Sequence, residues 1–276
     1  MRSFKLVDVF GTRPFSGNPL AVISDAEELS ADEMLTVTRW LNLSETTFLL
    51  PPTDTTADYR VRIFTPDREL PFAGHPTLGT AHVWLENGGQ PKMPGRIVQQ
   101  CGVGLVPLQH ADELAFAAPP LIRSGPVDEA DLNDALAVLQ IERAAVVEAQ
   151  WVDNGPGWLG VRLASAEAVR AVKPLGSYHK RMDIGVVGPE TGGETDVEIR
   201  AIFSDQTLAL REDPVTGSLN ASVAQWLLGA GLLKAPYVAA QGTCLGRTGR
   251  VRVTQDADHI WIGGATRTLF SGETST

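Results

Sequence analysis

The sequence predicts an α+β protein of two pseudo-equivalent lobes, and three observations predict it. The chain has 276 residues, more than the usual single core of about 100 to 150 residues. Apolar residues make up 43% and charged residues 20%, the balance of a chain that buries an ordinary core. The third observation is a repeated order of elements. Strand, turn, glycine-led helix, glycine-rich stop and β pair occur around Gly74 and again around Gly217, 143 residues later. That spacing far exceeds solenoid periods of roughly 20 to 50 residues, so it marks two related halves. The first lobe is placed at 1–118, with 265–276 available to complete it, and the second at 119–264.

Lys5 to Phe10 reads as a strand, Gly11 to Asn18 as a loop punctuated by Gly11, Pro14 and Gly17, and Pro19 to Ile23 as a second strand. Ser30 followed by Glu33 is a capping box, and Met34, Leu35, Val37, Thr38 and Leu41 recur behind it at helical spacing, predicting a helix that ends near Asn42. Ser44 to Leu50 is β-branched and apolar and is stopped by Pro51 and Pro52, so Glu45 sits where a helix hands over to a strand. Tyr59, Val61 and Ile63 alternate with Arg60 and Arg62 in a half-buried strand ending at Thr65-Pro66. After the turn at Pro71-Phe72-Ala73-Gly74-His75-Pro76, the pattern predicts a helix from Thr77 to Glu86, stopped by Asn87-Gly88-Gly89. Strands at Arg96 to Gln100 and Gly104 to Leu108 close the first half before Pro119-Pro120.

The second half repeats the plan. Asp128 to Leu139 reads as a helix, Ala145 to Val152 and Trp158 to Leu163 as strands, and Ala166 to Val172 as a short helix capped by Ser165. Val197 to Phe203 precedes the turn from Arg211 to Gly217, and a helix runs from Ser218 to Leu228 before Gly229-Ala230-Gly231. A β pair from Gln241 to Val253 follows.

The net charge of -10 and pI near 5.0 argue against a nucleic-acid partner, which needs a basic surface. An anionic ligand must then be drawn by local dipoles. Both glycine-led helix entrances offer this, because first-turn amides have no intrahelical acceptor and the helix dipole favours negative charge there. Arg2 and Lys5 open the chain, but Asp8 interrupts the segment, and no later run reaches the ~18 apolar residues of a membrane span. The expectation is a soluble, cytoplasmic protein with no membrane partner. Cys101 and Cys244 are too few for a disulfide framework and are expected as buried small side chains. The five histidines, His75, His82, His110, His179 and His259, have no zinc spacing, so no metal is expected. Trp40, Trp151, Trp158 and Trp226 are candidates to line a pocket, but their helix and strand spacing favours the core.

Several blocks together resemble the PhzF-like phenazine-biosynthesis family. They are Asn42-Leu43-Ser44-Glu45-Thr46-Thr47-Phe48, Arg62 to Pro66 with Glu69 to Thr77, and Glu212-Asp213-Pro214-Val215-Thr216-Gly217-Ser218. Asp8-Val9-Phe10, Gly17-Asn18-Pro19, Gln241-Gly242 and Gly246-Arg247 look like the same family, so the likeness covers nearly the whole chain. The resemblance implies a diaminopimelate-epimerase-like fold, with each lobe a mixed sheet wrapped around a central helix and the active site in the cleft between lobes. It also implies a homodimer, and isomerase chemistry that moves a proton between carbons without a metal or organic cofactor.

By motif the family's catalytic glutamate falls on Glu45. A carboxylate that takes a proton from carbon and returns it must be poised between its two forms, which an apolar pocket achieves by raising its pKa. His75 matches the active-site histidine, Asp213 the substrate-binding aspartate and Ser218 a ligand contact, while Gly74 and Gly217 supply backbone approach. Related epimerases that use two thiols carry a cysteine before each helix-opening glycine. Here Ala73 and Thr216 stand at those places, which disfavours paired-thiol inversion. The leading expectation is a cofactor-independent isomerase of a small anionic, carboxylated metabolite. An amino-acid or hydroxy-acid epimerase or racemase on the same fold is the second reading, and a non-catalytic small-ligand-binding or scaffold protein the third.

Overall fold

A computed structural model describes residues 1–275. Two compact units emerge, one of Met1–Ala117 with the segment from Gly263 onward, the other of Ala118–Ile262.

In the first unit, β1 (Arg2–Val9) pairs antiparallel with β2 (Asn18–Ile23). Helix α1 (Ala31–Leu41) then carries the chain to β3 (Thr46–Leu50), parallel to β2. Ser30 and Glu33 form the predicted capping box, and Asn42 ends α1 at φ 53, a left-handed value that asparagine tolerates. Met34 and Thr38 face the core from α1. Trp40 lies ~200° round the helix from Thr38 and is 83% exposed, which corrects its expected core position. β4 (Tyr59–Phe64) is antiparallel to β3 and to the short β5 (Glu69–Leu70). Helix α2 (Gly74–Glu86) makes the crossover to β6 (Arg96–Cys101), parallel to β4, and β7 (Gly104–His110) and β8 (Leu114–Ala117) continue antiparallel.

Helix α2 packs against β1, β2, β3 and β8 of its own unit, so the sheet wraps around it. Its residues from Gly74 to Ala81 are all buried. At Gly79 the approach is so close that a Cβ would lie 2.5 Å from Leu20 Cδ2. The helix starts at Gly74, three residues before the predicted Thr77, because Pro76 lacks only an N–H that has no acceptor in a first turn.

The second unit runs through β9 (Arg123–Pro126), α3 (Glu129–Leu139), β10 (Val146–Asp153), β11 (Leu159–Leu163) and α4 (Ala166–Ala171). It continues through β12 (Asp183–Pro189), β13 (Val197–Ser204), β14 (Leu210–Asp213), α5 (Gly217–Gly229), β15 (Tyr237–Gln241) and β16 (Gly249–Gln255). β10 and β11 are antiparallel, β11 and β12 parallel across α4, β12 and β13 antiparallel, and β13 and β15 parallel across α5. This is the succession that β1, β2, β3, β4 and β6 follow in the first unit. Leu132, Leu136 and Leu139 of α3 and Val169 of α4 pack with Val161, Ile184 and Val186 in its core. β17 (Ile260–Gly264) leads the chain back, and β18 (Thr266–Thr274) pairs antiparallel with β1 and packs on α2.

The cysteines depart from expectation. Cys101 is half-buried and Cys244 exposed, the latter on a short turn whose flanking Gly242 and Gly246 are both left-handed. Trp151 is half-buried beneath the Arg123 guanidinium, 3.4 Å from its ring centre, whereas Trp158 and Trp226 are buried as expected.

Candidate active site

Glu45 occupies the link between the end of α1 and the start of β3. Two residues on, Thr47 accepts a hydrogen bond from Thr80 Oγ1 at 2.8 Å, which ties β3 to α2. That tie brings Glu45 to the opening turn of α2, where its Oε2 lies 3.5 Å from His75 Nδ1. The glutamate side chain is 16% exposed and the histidine 2%. Burial pulls the His75 pKa down to about 3, with the Pro19 backbone only partly opposing it. At neutral pH Glu45 therefore meets an uncharged imidazole rather than a cation.

Two further residues shape this corner. Asn18, fully buried, brings Nδ2 within 3.4 Å of His75 Nδ1. It is placed by the β1–β2 loop, in which Asp8 accepts the backbone N–H groups of Ser16 and Gly17 at 3.1 and 2.8 Å. His75 Nε2 is buried without a hydrogen-bond partner among the described residues. No side chain caps α2, and its first intrahelical bond is from Thr77 N to Ala73 O, so the amides of Gly74 and His75 lack an intrahelical acceptor. A buried imidazole nitrogen and two amides thus accompany one carboxylate at a helix N-terminus, an arrangement suited to an anion beside a proton-transfer group.

The second unit builds its counterpart at α5. Asp213, buried at the end of β14, accepts from Thr216 Oγ1 at 2.5 Å. Gly217 opens the helix, again with no side-chain cap, and the first intrahelical bond is from Asn220 N to Thr216 O. Ser218 Oγ accepts from Trp158 Nε1 at 3.1 Å, which turns the hydroxyl proton away from the indole and makes it available to an acceptor. Asn154 Nδ2 donates to the Ser218 carbonyl at 2.9 Å, and Asn154 Oδ1 is buried without a partner among the described residues. Asp153 pins this loop by accepting from Gly155 N and Gly157 N, both at 2.7 Å, much as Asp8 pins the β1–β2 loop.

The structure thus places Glu45, Gly74 and His75 together in the first unit, and Asp213, Gly217 and Ser218 together in the second. Sequence reasoning did not select Asn18 or Asn154, and it favoured the core over a pocket-lining place for Trp158. Among the described residues, Asp256, Asp258 and His259 form a group with metal-ligand chemistry. They are exposed on a turn where Asp256 already accepts from the N–H groups of Asp258 and His259 and from Trp261 Nε1. No helix among the described residues is long and apolar enough to cross a membrane.

The family model of phenazine biosynthesis-like proteins matches residues 7–274. Antisense-enhancing sequence 1 of Schizosaccharomyces pombe is 34% identical over 293 residues, covering 98% of this chain and 98% of that protein. The trans-2,3-dihydro-3-hydroxyanthranilate isomerase of Pseudomonas chlororaphis is 52% identical over 81 residues, 29% of each chain. The structure of a predicted epimerase from Pseudomonas aeruginosa matches with a TM-score of 0.79 at 28% identity, covering 100% of both chains.

Proposed function

The chain belongs to the phenazine biosynthesis-like family, and on that premise we propose that it is a cofactor-independent isomerase in which Glu45 moves a proton between carbons of a small carboxylated metabolite. The observation that carries this reading is the Glu45 carboxylate 3.5 Å from a buried His75 at the uncapped start of α2. In the proposed cycle Glu45 takes a proton from an activated carbon and returns it to another. The neutral His75 ring orients the substrate, and the amide-rich helix starts hold its negative groups. Asp213 and Ser218 offer a substrate a carboxylate acceptor and a hydroxyl donor.

Epimerisation is the second reading, favoured by the likeness to a predicted epimerase. Inversion needs a second acid or base opposite Glu45, and His75 is the available candidate. An imidazole whose pKa lies near 3 is a poor base for a carbon-bound proton, which favours migration by one carboxylate. The test uses trans-2,3-dihydro-3-hydroxyanthranilate as probe in deuterated water, because a relative bears that substrate in its name. Label at a new carbon supports migration, and label confined to one inverted carbon supports epimerisation. Binding without exchange supports the third reading, a non-catalytic ligand-binding protein. Glu45→Gln is expected to slow exchange by about 100-fold or more, and full turnover by that variant removes Glu45 from the mechanism. The proposal also takes the protein as a cytoplasmic homodimer, which light scattering on the purified chain checks for its oligomeric part.

A further inference from the structure

Asp213 is buried at the last position of β14, opposite Ala201 of β13, and the turn that follows it leads into α5. One side chain on a neighbouring strand holds that turn. Gln241, the last residue of β15, is itself fully buried. Its Oε1 accepts from the Thr216 backbone N–H at 3.0 Å and from Asn220 Nδ2 at 2.8 Å. Its Nε2 donates to the Asp213 carbonyl at 3.2 Å and to Thr216 Oγ1 at 2.9 Å. A backbone N–H can only donate and a carbonyl can only accept, so these partners fix which end of the amide is oxygen.

The polarity then propagates. Thr216 Oγ1 accepts from Gln241, and its single proton goes to Asp213 Oδ2 at 2.5 Å. β15 is pressed against the turn by the next residue. Gly242 has φ 87, and a Cβ on it would sit 2.6 Å from the Pro214 carbonyl oxygen, a closeness that only glycine allows.

The first unit contains a similar chain with a different end. Tyr59 OH donates to Gln99 Oε1, Gln99 Nε2 to Thr77 Oγ1, and Thr77 Oγ1 to the Ala73 carbonyl, each at 2.9 Å. There a buried glutamine steadies a helix start through a threonine and finishes on backbone. In the second unit the same device finishes on a carboxylate.

We propose that Gln241 is a positioning residue for the substrate site, setting the orientation of the Asp213 carboxylate through the Thr216 hydroxyl. The proposal rests on the reading above that Asp213 contacts the substrate. Gln241 itself touches no substrate.

Two variants separate this role from general support of the fold. Thr216→Val removes the hydroxyl at nearly constant volume and leaves the Gln241 bonds to Thr216 N, Asn220 and the Asp213 carbonyl. Gln241→Glu keeps an acceptor for Thr216 N and Asn220 but turns the donor toward Thr216 into an acceptor, which draws the hydroxyl proton away from Asp213. The first readout needs no substrate. By NMR on the full chain, the Thr216 hydroxyl proton should be protected from exchange in the wild type and in Thr216→Ser, and displaced or lost in Gln241→Glu. The second readout is kinetic with the same probe. Thr216→Val and Gln241→Glu should raise KM about tenfold, the effect of one mis-set charged hydrogen bond, with kcat changed less, and Thr216→Ser should recover most of the loss.

A folded Gln241→Glu with an unchanged hydroxyl resonance overturns the proposal, as does a folded Thr216→Val with wild-type KM. If Asp213→Asn handles the probe as the wild type does, or the wild type does not act on it, the functional reading fails instead. The hydroxyl resonance then decides alone whether Gln241 orients Asp213.

Discussion

Lowering the pH from 7.5 to 5 should weaken the fold through His75, and the size of the effect follows from its burial. The side chain is 2% exposed and its pKa is depressed from 6.5 to about 3. The folded value lies below the unfolded one, so the unfolded chain takes up the proton first. The stabilisation is complete above the unfolded pKa and is lost progressively as the pH falls toward the folded value. At pH 5 the unfolded histidine is almost fully protonated and the folded one is not. The 1.5 units between 6.5 and 5, at about 1.4 kcal/mol each, give a loss of about 2 kcal/mol. The assay is urea denaturation of the wild type and of His75→Gln at both pH values. Other groups titrate in both proteins, so the difference between the two pH dependences isolates His75. The wild type is expected to lose about 2 kcal/mol more than the variant. Equal losses would refute the claim that this imidazole is held neutral by burial.

Other outcomes follow from single contacts. Gly79→Ala introduces a Cβ 2.5 Å from Leu20 Cδ2 and should cost about 1 to 3 kcal/mol of stability; the urea midpoint measures it, and combined with Leu20→Ala the total loss should fall short of the sum of the two single losses. Trp158→Phe keeps most of the ring but removes the donor to Ser218 Oγ, for an expected loss of about 1 kcal/mol in denaturation and a higher KM for the probe. Wild-type behaviour in both assays would remove Trp158 from the site.

Local signals were the legible part of the fold. The capping box at Ser30 and Glu33, the Ser165 cap and the glycine stops are contacts between near neighbours in sequence, and they placed α1, α4, α2 and α5. β12 went unread because Ile184 to Val187 is an apolar run buried on both faces, so it shows no period of two. β18 went unread because it is mostly exposed and polar and gains its strand character only by pairing with β1.

The same division runs through the site. Motif resemblance selected Glu45, His75, Asp213 and Ser218, but it carries no orientation. The contacts that supply orientation join residues far apart, 57 positions between Asn18 and His75 and 60 between Trp158 and Ser218. Only the folded sheets bring those pairs together. Asn154 and Trp158 lie in a turn whose composition announces only a turn.

The pairing of β1 with β18 gives the first unit an unusual assembly order. Strand β1 leaves the ribosome long before β18, and this partner is made only after the whole second unit. Until then one face of α2 and one margin of β1 stay uncovered, and the earlier half of the chain must wait, incomplete, for the later half. Removing β18 should therefore harm the unit that holds β1 before it harms the other.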